Sequence, residues 1–109
     1  MLTNDQWSVL AWIDRNTAPP EMVISQDWLV GYLVSTYTRV RSWEGHYANT
    51  PFSAQRTAEV RQAFLQGRIL PEWNRQRVYY VVRRDTEWSP PLGVVERYRN
   101  NEFVVWGPQ

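Results

Sequence analysis

The chain has no lysine and no cysteine, and His46 is its only histidine. Without lysine it can form neither a lysine Schiff base nor a phosphate-binding loop of the GxxxxGK[ST] type. Without cysteine it has no thiolate nucleophile, no disulfide and no cysteine-ligated zinc site. We therefore expect no enzyme activity, no cofactor and no bound metal.

Three catalytic options remain, and the sequence favours none of them; for the first, a paired-carboxylate glycosidase, no spacing singles out a pair. A Ser-His-Asp hydrolase would need His46, but no G-x-S-x-G segment is present. A carboxylate metal site would start from Asp85 and Glu87, with Glu72 or Glu96 joining in space. Because residues 85–87 precede Ser-Pro-Pro, they are more typical of a turn.

Aromatic and guanidinium groups are abundant. The chain of 109 residues carries seven Trp, six Tyr and three Phe, and its twelve cationic side chains are all arginines. Trp, Tyr and Arg dominate binding hot spots, so the composition favours a binding protein. A net charge of +1 is too small to indicate polyanion binding by itself. The length suits one compact domain, residues 1–109.

No apolar run is long enough to span a membrane. The N-terminus lacks the basic region, apolar stretch and small-residue cleavage site of a signal peptide. We expect a cytoplasmic protein without membrane contact.

Three helices are predicted in the first two thirds of the chain. Thr3 and Gln6 have capping-box spacing, which predicts a helix over about 4–16. Ser25 as N-cap predicts a second helix over 25–42, which is apolar nearly all round and should be central and largely buried. Its second half, residues 34–42, also alternates like a strand. The third helix, 53–66, begins at Ser53 and ends at Gly67.

The last third has the two-residue period of strands. Strands over about 77–84, 93–99 and 102–107 predict a three-stranded antiparallel meander. Asn100-Asn101 is typical of a two-residue turn, which would pair Arg99 with Glu102 and Tyr98 with Phe103. Tyr98, Phe103, Val105 and Val94 should then face the helices, with Arg97, Arg99, Glu102 and Trp106 on the other face.

The fold class predicted is α+β, with helices packed on a sheet. The element order matches that of winged-helix DNA-binding domains, an analogy of order alone. We interpret the chain as a small non-catalytic protein that binds another protein, in the manner of a phage or mobile-element inhibitor or adaptor. The candidate partner-binding residues are Arg83, Arg84, Arg97, Arg99, Trp106, Trp88, Trp43 and Tyr47.

The alternative interpretation is a winged-helix-like nucleic-acid-binding or transcription-regulating domain. Gln and Arg on the third helix would read base edges, because both side chains make bidentate contacts to purines. A hairpin would supply phosphate contacts. The candidate nucleic-acid-binding residues are Gln55, Arg56, Glu59, Gln62, Arg83 and Arg97.

Overall fold

The structure, a computed structural model, describes residues 2–43 and 53–109. Its helices are α1 (Asn4–Asn16), α2 (Trp28–Tyr37), α3 (Ser53–Gln66) and a short 3-10 helix (Pro71–Arg75). Its strands are β1 (Met22–Ser25), β2 (Arg41–Ser42), β3 (Val78–Arg83), β4 (Val94–Arg99) and β5 (Phe103–Pro108). The α+β class predicted from the sequence is confirmed.

The strands form one five-stranded mixed sheet in the order β2-β1-β3-β5-β4. β1 runs parallel to β2 and β3, whereas β5 is antiparallel to β3 and β4. The predicted meander is wrong because β5 lies between β3 and β4. The strand contents explain this order, since β5 begins with three buried apolar residues and β4 carries exposed charges that suit an edge.

The predicted second helix is confirmed over Trp28–Tyr37, but its bounds of 25–42 are wrong, because Ser25 ends β1 and Arg41–Ser42 form β2. Met22–Ser25 is buried throughout and pairs on both sides, as an inner parallel strand does. Asp27 rather than Ser25 caps α2, its carboxylate accepting the Val30 backbone N–H at 2.9 Å. Thr38 adopts extended backbone and ends the helix before β2.

The other two helices have the predicted bounds. Around α1, Thr3 and Gln6 form the reciprocal capping box. Gly67, at φ 67°, follows α3 in the left-handed conformation expected of its C-terminal stop. The start of α1 and the end of α3 are thus determined by residues close by in the sequence, which explains why local sequence signals predicted them.

The sheet is covered on both faces, so the molecule has three layers. One apolar cluster joins α1 and α2 to the side chains of Val23, Tyr79, Val81 and Val105. The second joins α3 and the 3-10 helix to Met22, Ile24, Tyr80 and Val82 on the opposite face. Because α3 is separated from α1 and α2 by the sheet, the helices form no common bundle. The winged-helix analogy is therefore wrong.

The turn between β4 and β5 is longer than predicted. Arg99 lies opposite Val104 and Tyr98 opposite Val105, rather than opposite Glu102 and Phe103. The Asn100 side chain causes the difference, because its Oδ1 accepts the backbone N–H groups of Glu102 at 3.0 Å and of Phe103, the first residue of β5, at 2.9 Å. Arg99 instead forms its ion pair with Glu96 at 2.7 Å.

A β-bulge lies between Glu96 and Tyr98 in β4. Because of it, the side chains before the bulge point to the face opposite the one predicted. Tyr98 packs against the cluster under α1, as predicted. Val94 packs with Trp106 against the opposite cluster, so its predicted facing is wrong. The extra residue in the bulge shifts the alternation by one position.

The start of β1 is tied to the start of β3 by Glu21, whose carboxylate accepts from Arg77 Nε at 2.9 Å and from the Tyr79 hydroxyl at 3.3 Å. Burial raises the pKa of Glu21, but these bonds, the Ala18 backbone N–H and the Arg77 charge outweigh it and leave the pKa below its usual 4.5. A carboxyl with a lowered pKa in the folded state stabilises the fold above that usual value and loses this effect as the pH falls.

We therefore expect the melting temperature of the wild type to exceed that of Glu21→Gln at about pH 6, and the difference to shrink toward about pH 3. The remaining carboxyl groups are common to both proteins, so they largely cancel in the comparison. A difference that stays constant over this range, in thermal unfolding followed by circular dichroism, would contradict the assignment.

Candidate functional site

Helix α2 packs on the sheet through one side only. Its buried positions are Val30, Gly31 and Val34, which approach the sheet beside β1 and β2. None of its ten residues is charged. A helix on the surface of a globular protein ordinarily carries charged or polar residues on the side away from the core. The outer side of α2 departs from that pattern.

Large aromatic side chains occupy the outer side of α2 and the adjoining part of α1. Trp28 is 65% exposed, Tyr37 53%, Trp7 45% and Tyr32 39%. We call these four residues the aromatic face. Trp28 and Tyr32 lie one turn apart, with ring centroids separated by 5.5 Å. Trp7 of α1 meets Tyr37 edge-on at 5.3 Å.

The two ring pairs belong to one surface. At 3.6 residues per turn, Leu29 and Leu33 lie between Tyr32 and Tyr37 around α2. Both leucines are half-buried, so they continue the apolar surface between the pairs. Thr36 adds an exposed hydroxyl next to Tyr32. The result is a broad uncharged surface whose polar groups are hydroxyls and indole N–H groups.

Three of the sequence-predicted arginines lie where β3 and β4 end. Arg83 reaches Asp27 at 3.6 Å, and Arg84 Nη1 donates to the Asn100 carbonyl at 3.2 Å. Arg99 is paired with Glu96. Each therefore has a polar partner within the protein.

Arg97 does not join that group. Its Nη1 donates to the Pro108 carbonyl at 2.7 Å, and its guanidinium carbon lies 5.9 Å from the centre of the Tyr79 ring. Of the four arginines predicted to bind a partner, three therefore lie at one end of the sheet and one reaches toward the end of β5.

The sequence-predicted tryptophans pack on the α3 side of the sheet. Trp43 is 7% exposed and donates its indole N–H to Glu59 Oε1 at 2.9 Å. Trp88 is half-buried and donates to the Ala63 carbonyl at 2.9 Å. Trp106 is half-buried against the same cluster. Tyr47 falls outside the described residues.

The polar side chains of α3 that were predicted to read bases make contacts within the protein. Arg56 lies over the Trp43 ring at 4.2 Å and donates to the Trp43 carbonyl at 2.9 Å. Glu59 accepts from Trp43 and from Gln55, and Gln62 accepts from Arg68 at 3.5 Å. The side chains predicted to read bases therefore hold α3 and its surroundings together.

Sequence reasoning missed the aromatic face because α2 was interpreted as a buried central helix. A helix that covers one side of a sheet buries only part of its circumference. The sequence alone holds no signal for this face, because an uncharged helix is ordinarily a buried one and aromatics one helical turn apart fit either environment.

Two further findings concern the described residues. They contain no group of three His, Asp or Glu side chains placed to hold a metal ion. None of their helices has the length and apolar character needed to cross a bilayer.

Comparison with models of known protein families, with curated proteins and with solved structures finds no match.

Proposed function

We propose that this protein is a non-catalytic binding protein, an inhibitor or adaptor in type, that binds a protein partner through the aromatic face. The observation that carries the proposal is the uncharged outer side of α2, where Trp28 and Tyr32 are exposed. The centres of protein interfaces are depleted in charged residues and enriched in Tyr and Trp. Removing these rings from water supplies binding free energy, while their hydroxyl and N–H groups give orientation.

The chemistry of the aromatic face favours a protein over a nucleic acid. Nucleic-acid binding depends on cations that neutralise phosphates, and none of the four residues of the face is a cation. The arginines at the end of the sheet have partners within the chain, and so does Arg56 on α3. A protein partner with an apolar groove or ridge matches the face as it stands.

The test is site-specific photo-crosslinking in lysate of the source organism. Benzoylphenylalanine replaces Thr36, exposed within the aromatic face, or Arg75, an exposed control on the 3-10 helix. We expect one protein to crosslink at position 36 and not at position 75, and to be lost when Trp28 and Tyr32 are both changed to Ser. Identical products at the two positions, or no product at position 36, would contradict the proposal.

A further inference from the structure

A groove of about 320 Å³ opens where β1 and β3 end, between the start of α2 and the middle of α3. Its described lining residues are Ser25, Gln26, Trp28, Thr57, Val60, Arg61, Phe64, Leu65 and Arg83. The volume lies at the lower end of the range of small-molecule sites, which begins at about 300 Å³.

The topology explains why a groove forms here. β1 and β3 are neighbouring parallel strands, so their carboxyl ends meet at one edge of the sheet. After β1 the chain turns into α2 on one face. After β3 the chain passes to the opposite face, where Trp88 packs on Phe64 with their ring centroids 5.4 Å apart. Diverging connections of this kind leave a crevice beyond the carboxyl ends of the strands, the usual ligand position in sheets with parallel strands.

The groove carries positive charge. Arg61 and Arg83 both line it, and no carboxylate is among its described lining residues. No ion pair or hydrogen bond joins Arg61 to another described residue. Arg83 Nη2 lies 3.6 Å from Asp27 Oδ2, and 47% of the Arg83 side chain remains exposed. The Arg61 guanidinium is therefore available to an anion in the groove, whereas Arg83 would share its guanidinium between Asp27 and the anion.

The remaining lining is apolar and includes aromatic surface. Val60 and Phe64 are each 5% exposed and belong to the second apolar cluster. Trp28 and Leu65 are 65% and 74% exposed, unusual values for such large apolar side chains.

We propose that this groove binds a small organic anion, a carboxylate or phosphate group attached to a flat apolar body. Arg61 and Arg83 would hold the anionic group through charge-assisted hydrogen bonds, which are stronger than neutral ones. Trp28 and Leu65 would cover the apolar body. The site goes beyond the proposed protein partner and shares only Trp28 with the aromatic face.

The experiment is a calorimetric titration of the protein with four probes: naphthoate, naphthyl phosphate, the neutral naphthamide and inorganic phosphate. We expect at least one naphthyl anion to bind with a dissociation constant below about 1 mM, and naphthamide and inorganic phosphate to bind at least about tenfold more weakly. The relative affinities of the two anions identify the preferred anionic group. No saturation by either anion, or equal binding of naphthamide or of inorganic phosphate, would overturn the proposal.

Matched arginine variants locate the binding. Arg61→Gln should weaken the naphthyl anion about tenfold, whereas Arg75→Gln, an exposed arginine outside the groove, should leave it unchanged. Equal effects of the two variants would also overturn the proposal. Since Arg61 is no part of the aromatic face, crosslinking at position 36 in the Arg61→Gln protein separates failure of the anion site from failure of partner binding.

Discussion

Replacing Trp73 by alanine is expected to lower the free energy of unfolding by about 3 to 5 kcal/mol. Trp73 is 1% exposed, and its ring meets those of Trp43 at 5.7 Å and Tyr80 at 6.4 Å, both edge-on. Its removal would leave a cavity between the 3-10 helix, β3 and the end of β2. Because a domain of this size is stable by only about 5 to 15 kcal/mol, a substantial part of that stability would be lost.

Trp73→Phe is the matched control for this prediction. The indole N–H of Trp73 is buried without a hydrogen-bond acceptor among the described residues. Phenylalanine removes that unsatisfied donor and still fills much of the space, so its cost should be clearly smaller. Urea unfolding measures the cost of each substitution. The alanine variant should lower the midpoint concentration of urea, with little change in the slope of the unfolding free energy against urea concentration. A cost below about 1 kcal/mol for Trp73→Ala would contradict the packing described for this face.

Trp28→Ala is expected to weaken binding of the protein partner about 30-fold to 1,000-fold. Trp28 combines the largest exposed fraction among the tryptophans with an adjoining ring in Tyr32. Central aromatic anchors of interfaces cost about 2 to 4 kcal/mol when truncated, which corresponds to that range. Calorimetry with the purified crosslinked partner measures the change. The control is Leu92→Ala, since Leu92 is fully exposed outside the aromatic face and should have no effect.

Salt separates the proposed function from nucleic-acid binding. The aromatic face has no charged residue among its four members, so the affinity should change little between about 50 and 200 mM salt. Binding through phosphate contacts would instead fall by orders of magnitude over this range. A steep loss of affinity with salt would indicate that the arginines, rather than the aromatic face, form the binding surface.

How far the sequence predicts this fold depends on the range of the interactions involved. The start of α1 follows from the Thr3–Gln6 capping box, three residues apart, and the end of α3 from Gly67. β1 could not be recognised in the same way, because its four buried residues are a strand only through pairing with β2 and β3 far along the chain. Likewise, the position of β5 between two strands is set by burial across the whole sheet.

Interactions that are distant in the sequence also explain why the burial of Trp43 and Trp88 was not predicted. Trp43 directly follows β2, and Trp88 lies in the connection between β3 and β4. With helices on one face of the sheet only, as predicted, their rings would be exposed. A sheet covered on both sides has two apolar clusters to fill, and both indoles pack in the second and find acceptors there. The exposed rings of α2 could be predicted only once one side of that helix was known to face solvent.

The most direct test of the aromatic face is heteronuclear NMR of the tryptophan indole N–H groups on addition of the protein partner. The seven tryptophans give up to seven resolved signals. Binding through the aromatic face predicts large shifts or broadening for Trp7 and Trp28, with those of Trp43, Trp73 and Trp88 unchanged. Shifts confined to Trp43 or Trp88, with Trp7 and Trp28 unaffected, would place the partner on the α3 side of the sheet and contradict this account.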